Sequence, residues 1–226
     1  MDFHFNGDLL SDEYADILRW YGYTGIVCPQ DIRNVCRDAA GEEITLYINS
    51  DGGSLVAGTE IYSVLREYPG NVTAHIQSRA ASAATVAIMA CNRIVAEPVA
   101  LVCVHNPSTY GHGDADAFRH TAEELDNIKS VILNAYAGRA KISRDEVSAL
   151  MDRNIWINAD QAAEYGLVDE VLKSAASSGT PSGNIMNAAG RVLIPTEKMI
   201  EEYRAAKESE KIQAMRAKAW LDTHRN

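Results

Sequence analysis

Between Ile44 and Val104 the chain alternates apolar runs of strand length with stretches of helical period, and that alternation restricts the fold more than any other feature. Ile44 to Ile48 (ITLYI) reads as a strand stopped by the polar turn Asn49-Ser50-Asp51-Gly52-Gly53. A helix follows, with Ile61, Val64 and Leu65 at helical spacing, and closes near Pro69-Gly70. Val72 to Ile76 is the next strand. It leads into a turn at Ser82 and a helix over 82–91, after which Arg93 to Ala96 and Ala100 to Val104 make two strands around Pro98. The order β-α-β-α-β predicts an α/β fold with a mostly parallel sheet and right-handed crossovers. Ligands in such sheets sit beyond the carboxyl ends of strands. The Gly52-Gly53 turn and the Ser82 turn both lie at such ends.

The flanking segments read less sharply. Phe3 and Phe5 alternate with polar residues and predict a short edge strand before Asn6-Gly7. Residues 12 to 27 read as a short helix running into a loop. Asp31 is the expected cap of a helix striped by Ile32, Val35, Cys36 and Ala39 and ended by Gly41. Residues 114–138 predict a long helix with Phe118, Leu125, Ile128, Ile132 and Ala135 on one face. Ser143 with Glu146 and Asn158 with Gln161 are capping boxes opening two short helices, the second stopped at Gly166, and Leu167 to Val171 is a last strand. The resulting division is a domain over 1–172, a Ser/Gly/Ala/Pro-rich connection over 173–194 and a helical tail over 195–226, weakly apolar and expected to pack on a neighbour.

Composition narrows the function classes. A chain of 226 residues, 46% hydrophobic and 23% charged, can bury one good core. Its net charge of −10, with no offsetting Lys/Arg cluster, argues against nucleic acid or an anionic membrane as partner. Cys28, Cys36, Cys91 and Cys103 form no C-x-x-C pair and no metal spacing with histidine, so they read as reduced thiols and no metal or other cofactor is expected. The start, MDFHFNGDLLSDE, has no signal-peptide pattern and no apolar run reaches membrane length, which together predict a cytoplasmic protein.

Ser82 stands in QSRAASAATVAIMA, where small neighbours (Ala80, Ala81, Ala83, Ala84) let another backbone come close. At a strand-to-helix turn the first helical N–H groups lack partners and favour negative charge, so a nucleophile there has an oxyanion site within reach. Its bland alternative is an N-cap or a packed turn serine. An acyl-transfer site also needs a base within hydrogen-bond reach and a group orienting that base. His105, ending a parallel strand and followed by Asn106-Pro107, is placed for the first role; His4, His75, His112, His120 and His224 are not. Gly52-Gly53 in NSDGGS permits close approach of a substrate backbone and lacks the spacing of a phosphate loop.

INSDGGSLVAGTEIYSVL, SRAASAATVAIMA, VCVHNPSTYGHGDADAF and WINADQAAEYGLVDEV, in this order, resemble the Clp protease proteolytic subunit family of serine peptidases over residues 44–172. The stretches DxLRWYGYTGIVCPQDIR and MDRNIWINADQA are similar to those of phage-encoded head maturation (prohead) proteases. The resemblance implies a ClpP-like, crotonase-like spiral β-α-β superhelix stacked in ring-forming homo-oligomers, with a helical tail added at the C-terminus. It implies Ser82 as nucleophile, His105 as base, and the amides of Gly53 and Ala83 as oxyanion donors, with Gly52 and Ser54 at the substrate strand. The third catalytic position falls on Asn154, with Asp152 two residues earlier, and the charge that an asparagine lacks favours Asp152. The implied activity is a serine endopeptidase processing polypeptide, with scaffold or capsid protein as substrate during phage head maturation. No ATPase signature occurs, so an unfolding ATPase, or a portal or capsid protein, would be a separate partner. Two other readings share the fold: a crotonase-type acyl-CoA enzyme and a non-catalytic assembly subunit.

Overall fold

Two ten-residue strands, β3 (Ile44–Gly53) and β4 (Val72–Ala81), pair in parallel at the centre of an eight-stranded sheet. The structure, a computed structural model, describes residues 1–173 and 194–223, with backbone alone at 214 and 216–223. In β3 the period-two pattern buries Ile44, Leu46 and Ile48 completely while alternate residues stay half-exposed, as expected where helices cover a parallel sheet. Two helices flank these strands: α3 (Leu55–Glu67), whose N-cap Ser54 accepts from Ala57 N, and the short α4 (Ala83–Ile88), buried at every residue.

The first strand, β1 (Asp2–Leu9), is interior rather than the edge strand the sequence predicts. It pairs with β3 on one side and with β2 (Ile26–Val27) on the other. Gly7 takes φ +97° and the β1/β3 register shifts between Asn6 and Asp8, so a bulge carries the strand through the residues expected to turn it. β3 and β4 likewise continue past their predicted ends. The polar NSDGG stretch stays in the ladder because Gly52 and Gly53 pair with Asp8 and Leu9, so neighbouring strands override its poor strand propensity. Helix α1 (Asp12–Trp20) is capped by Ser11. Helix α2 (Pro29–Ala39) begins two residues before the expected cap: Cys28 is the N-cap, Pro29 supplies the preset φ of the first turn, and Asp31 accepts the Cys28 N–H from the third position at 2.9 Å.

The sheet branches at β4. Its first half, Thr73 to Ile76, pairs with β5 (Arg93–Ala96), which in turn pairs with β8 (Glu170–Val171). Its second half, Arg79 to Ala81, pairs with β6 (Leu101–Cys103). An antiparallel strand absent from the sequence reading, β7 (Trp156–Asn158), closes on β6, and α7 (Ala159–Glu164) follows directly from its capping box. The predicted last strand from Leu167 shrinks to β8, because Leu167 and Val168 are buried without ladder partners among the described residues.

Helix α5 (Ala115–Ala137) buries only its last turns, through Ile132, Leu133 and Tyr136. Phe118 and Ile128 remain 53% and 37% exposed, so the predicted apolar stripe runs off the core before it reaches the N-terminal half. Helix α6 (Arg144–Arg153) carries the expected Ser143/Glu146 capping box. The tail is one helix, α8 (Glu197–Thr223), and its first turns lie on α1 of the same chain rather than awaiting a neighbour. Met199 packs in the cluster of Leu10, Ala15, Leu18 and Cys28; Tyr21 Oη donates to Glu202 at 2.6 Å; Arg204 pairs with Glu13 at 2.7 Å; and Trp20 meets Tyr203 edge to face. The expected flexible connection falls largely on residues 174–193, outside the described residues. Arg204→Glu should speed proteolysis within α8 roughly two- to fivefold, the scale of one exposed pair. Adding Glu13→Arg should restore the wild-type rate, and failure of that rescue would remove this anchor.

Candidate active site

The Ser82 turn is made by register. Ala81, the last residue of β4, pairs with Cys103, and the Ser82 N–H donates to Cys103 O at 3.1 Å. Ser82 therefore leaves the sheet beside Val104 and His105. It does so at φ 55°, ψ −129°, a region non-glycine residues avoid at a cost of about 1–3 kcal/mol, which the burial of α4 behind it offsets. Small neighbours are required. A Cβ on Gly52 (φ +95°) would stand 2.7 Å from Ala81 O and from Ser82 Cβ, and one on Gly58 would stand 2.7 Å from Ala83 O. Gly52 is held by buried Ser50, whose hydroxyl donates to Gly7 O at 2.6 Å and accepts Gly52 N–H at 3.1 Å.

Ser82, Ala83, Gly53, Ser54 and His105 line one cavity of about 510 Å³. Its other wall is apolar: Val86, then Leu125, Ile128 and Ile132 from α5, with Ile194 from the segment preceding α8. Ser54 N, rather than Gly53 N, donates to Leu9 O. Ser54 Oγ is engaged as the cap of α3 and the Gly52 amide as donor to Ser50, and of the two residues Ser54 lines the cavity.

His105 Nδ1 lies 2.6 Å from Asn106 O. A carbonyl only accepts, so this contact places the proton on Nδ1 and leaves the Nε2 lone pair available as a base. Ser82 Oγ makes no hydrogen bond to the imidazole among the described residues; such contacts often tighten only when substrate binds. Behind the ring a second cavity of about 350 Å³ is lined by His105, Met151, Asp152 and Asn154.

Strand β7 brings the segment that carries this pair alongside β6. Leu101 pairs with Asn158, Val102 with Ile157 and Cys103 with Trp156. The ladder ends there: β6 stops at Cys103 and β7 begins at Trp156, while Asn154 ends α6 in the left-handed region at φ 46°. Asp152, favoured in the sequence reading for its charge, lines the same cavity as His105, where its Oδ1 accepts from Lys129 Nζ at 2.6 Å and from Asn106 Nδ2 at 2.8 Å. Those bonds, led by Lys129, hold the Asp152 carboxyl below its ordinary pKa. Stabilisation from the pair is present above the unfolded pKa and is lost as pH falls through the lowered folded one. Asp152 is thus tied to Asn106, whose carbonyl accepts the His105 Nδ1–H.

Lys129 and Asn106 were not singled out as site residues from sequence. Asn106 beside His105 was the available signal; Lys129, on the polar face of a helix, offered none. Cysteine chemistry does not compete here. Burial pushes the Cys103 thiol up to about 11 and the Cys91 thiol to about 12, so neither is a thiolate near neutrality. No group of His, Cys, Asp and Glu among the described residues could hold a metal ion, and no described helix is long and apolar enough to cross a membrane.

These features define a branched, mostly parallel α/β protein carrying a serine and a histidine on adjoining strand ends in an apolar cleft. The model of the Clp protease family matches residues 35–175, well over half of the chain, and the protein belongs to that family. An ATP-dependent Clp protease proteolytic subunit of Bacteroides fragilis is 36% identical over 134 residues, 58% of this chain and 65% of that protein. Proteolytic subunit 1 of Streptomyces avermitilis is 35% identical over 150 residues, covering 66% and 69%. Subunit 2 of Corynebacterium diphtheriae is 31% identical over 173 residues, covering 76% and 82%. The chain thus spans just under two thirds of the Bacteroides relative's length.

Proposed function

We propose that the chain is a serine endopeptidase of the Clp type. The observation that carries this reading is the shared cleft: Ser82, Ala83, Gly53 and His105 line one cavity, and Ala81 opposite Cys103 sets Ser82 beside the strand that leads to His105. His105 Nε2 takes the proton of Ser82 Oγ as the oxygen attacks the peptide carbonyl carbon. The oxyanion is held by the amides of Gly53 and Ala83. The imidazolium gives its proton to the leaving amine, and water then attacks the acyl-enzyme with the same histidine as base. Asn106 O holds the ring through Nδ1–H and is backed by Asp152, and Asn154, lining the second cavity beside His105, takes over that N–H when it leaves Asn106 O. β1 already occupies one edge of Gly52-Gly53, so extended peptide adds along the edge facing the cavity, between Gly52 and Ser54.

The exposed apolar residues of α5, Phe118, Ile128 and Val131, support assembly against a second copy of the chain, in keeping with ring-forming homo-oligomers. An unfolding ATPase would be a separate partner. The finer assignment, processing of scaffold or capsid protein in phage head maturation, rests on the resemblance of the N-terminal and 151–162 stretches alone; cleavage of a co-expressed capsid protein tests it.

A fluorophosphonate tests the activity. We expect a covalent adduct on the Ser82 peptide, absent in Ser82→Ala and slowed in His105→Ala. Absence of any adduct on the assembled protein would end the peptidase reading, leaving an assembly subunit, or, if acyl-CoA bound instead, a crotonase-type enzyme.

A further inference from the structure

The turn that carries Ser82 is supported from its buried side by two hydroxyls that the reaction scheme does not use. Thr85, 0% exposed, places Oγ1 2.5 Å from Ser82 O, 3.2 Å from Cys103 O and 3.1 Å from Tyr136 Oη. Tyr136, 1% exposed, reaches in from α5 and also lies 3.4 Å from Ser82 O. Each hydroxyl has one proton. The short contact assigns the Thr85 proton to Ser82 O, and the Tyr136 proton then goes to Thr85 Oγ1, with Ser82 O as its longer alternative. Ser82 O accepts in addition from Val86 N at 3.2 Å, and Cys103 O from Ser82 N at 3.1 Å.

A threonine bonding the carbonyl three residues back is common in helices, and by itself would mean little. Two circumstances separate this one from the ordinary case. The carbonyl belongs to a residue at positive φ, and the second hydroxyl comes from a helix 51 residues further along the chain. The carbonyl of Ser82 and the N–H of Ala83 are also two ends of one planar trans peptide unit, and point in opposite directions. Whatever holds the oxygen down on the buried side aims the N–H outward, and Ala83 lines the cavity.

We infer that Thr85 and Tyr136 are positioning residues: by fixing the Ser82 carbonyl they orient the Ala83 N–H as an oxyanion donor. This rests on the peptidase reading above. Because the donor acts on charge that develops in the transition state, loss of the hydroxyls lowers kcat and leaves KM in place.

Thr85→Val keeps the branched shape and removes the hydroxyl; Thr85→Ser keeps the hydroxyl; Tyr136→Phe removes the second one. On the assembled protein, with a fluorogenic peptide and with fluorophosphonate, Thr85→Val should lower kcat and the Ser82 labelling rate roughly ten- to hundredfold. That is less than the loss of a whole oxyanion donor, and KM should stay within about twofold. Tyr136→Phe should lower kcat roughly three- to tenfold, and Thr85→Ser should retain wild-type kcat within about threefold. Folded fraction, read from near-ultraviolet circular dichroism, normalises every rate, and Tyr136→Phe serves should Thr85→Val fold poorly. Wild-type rates per folded molecule in both Thr85→Val and Tyr136→Phe would overturn the inference while leaving the peptidase reading standing. An unlabelled wild-type Ser82 would overturn both, since there would be no nucleophile to position.

Discussion

Gly52→Ala should cripple peptide hydrolysis and lower the melting temperature, although the substitution adds one methyl group and replaces no residue that reacts. The methyl would arrive 2.7 Å from Ala81 O and Ser82 Cβ and 2.9 Å from Ala83 N. All three atoms belong to the turn that presents the nucleophile and an oxyanion donor, and two are backbone, so the turn itself must move. The residue also sits at φ +95°, where alanine is strained by about 1–2 kcal/mol before any contact is counted. A displacement of about 1 Å at a reacting centre costs on the order of a hundredfold, and here nucleophile and donor shift together, so kcat/KM should fall by about three orders of magnitude. Overpacking plus strain should cost about 2–4 kcal/mol in stability. Gly22→Ala is the internal control: φ is +84°, but nothing lies within 4 Å of the added carbon, so it should lose a small amount of stability and no activity. A fully active Gly52→Ala protein would show that the close approach of β3 to the Ser82 turn is not part of the site.

The second large effect is a gain. Asn154→Asp should raise kcat/KM by about tenfold or more, and Asp152→Asn should change it by less than about threefold. Both positions line the cavity beside His105, and Asp152 is already committed to Lys129 and Asn106, which leaves Asn154 as the position we propose for the third member. Asparagine accepts the imidazole N–H but contributes no charge against the imidazolium that forms as Ser82 gives up its proton. Where the natural partner is aspartate, the reverse change costs about 10⁴ in kcat, which sets the ceiling. The left-handed backbone at 154 accommodates both residues, so the change carries little conformational penalty. Steady-state kinetics on both variants decide between the two carboxylate positions: loss of activity in Asp152→Asn with no gain in Asn154→Asp would reverse their roles.

The order of strands and helices between Ile44 and Val104 was legible because each element is long enough to display its period, and because Gly, Pro and Ser mark the turns. The capping boxes at Ser143 and Asn158 were legible for a related reason: both partners lie within four residues, so the hydrogen bonds are local. Ser82, His105 and Gly53 were found by their places at strand ends, and the structure brings all three to one cavity. Strand β7 was not legible. Three residues, Trp156 to Asn158, display no alternation, and what makes them a strand is β6 beside them. The extension of β3 through NSDGG failed to show for the same reason, since its polar residues are in a ladder only through pairing with Asp8 and Leu9.

Thus the amino-acid sequence by itself determined the alternating α/β order, the nucleophile's turn and the small residues around it, all of which follow from interactions within a few residues. Only the tertiary structure decided that β4 divides between two partners, that Asp152 is engaged by Lys129 and Asn106, and that Thr85 and Tyr136 meet beneath the Ser82 carbonyl. Those outcomes depend on strand register and helix packing between segments tens of residues apart. A shift of one residue turns a side chain to the opposite face of a strand, and no local pattern records which register the assembled core selects.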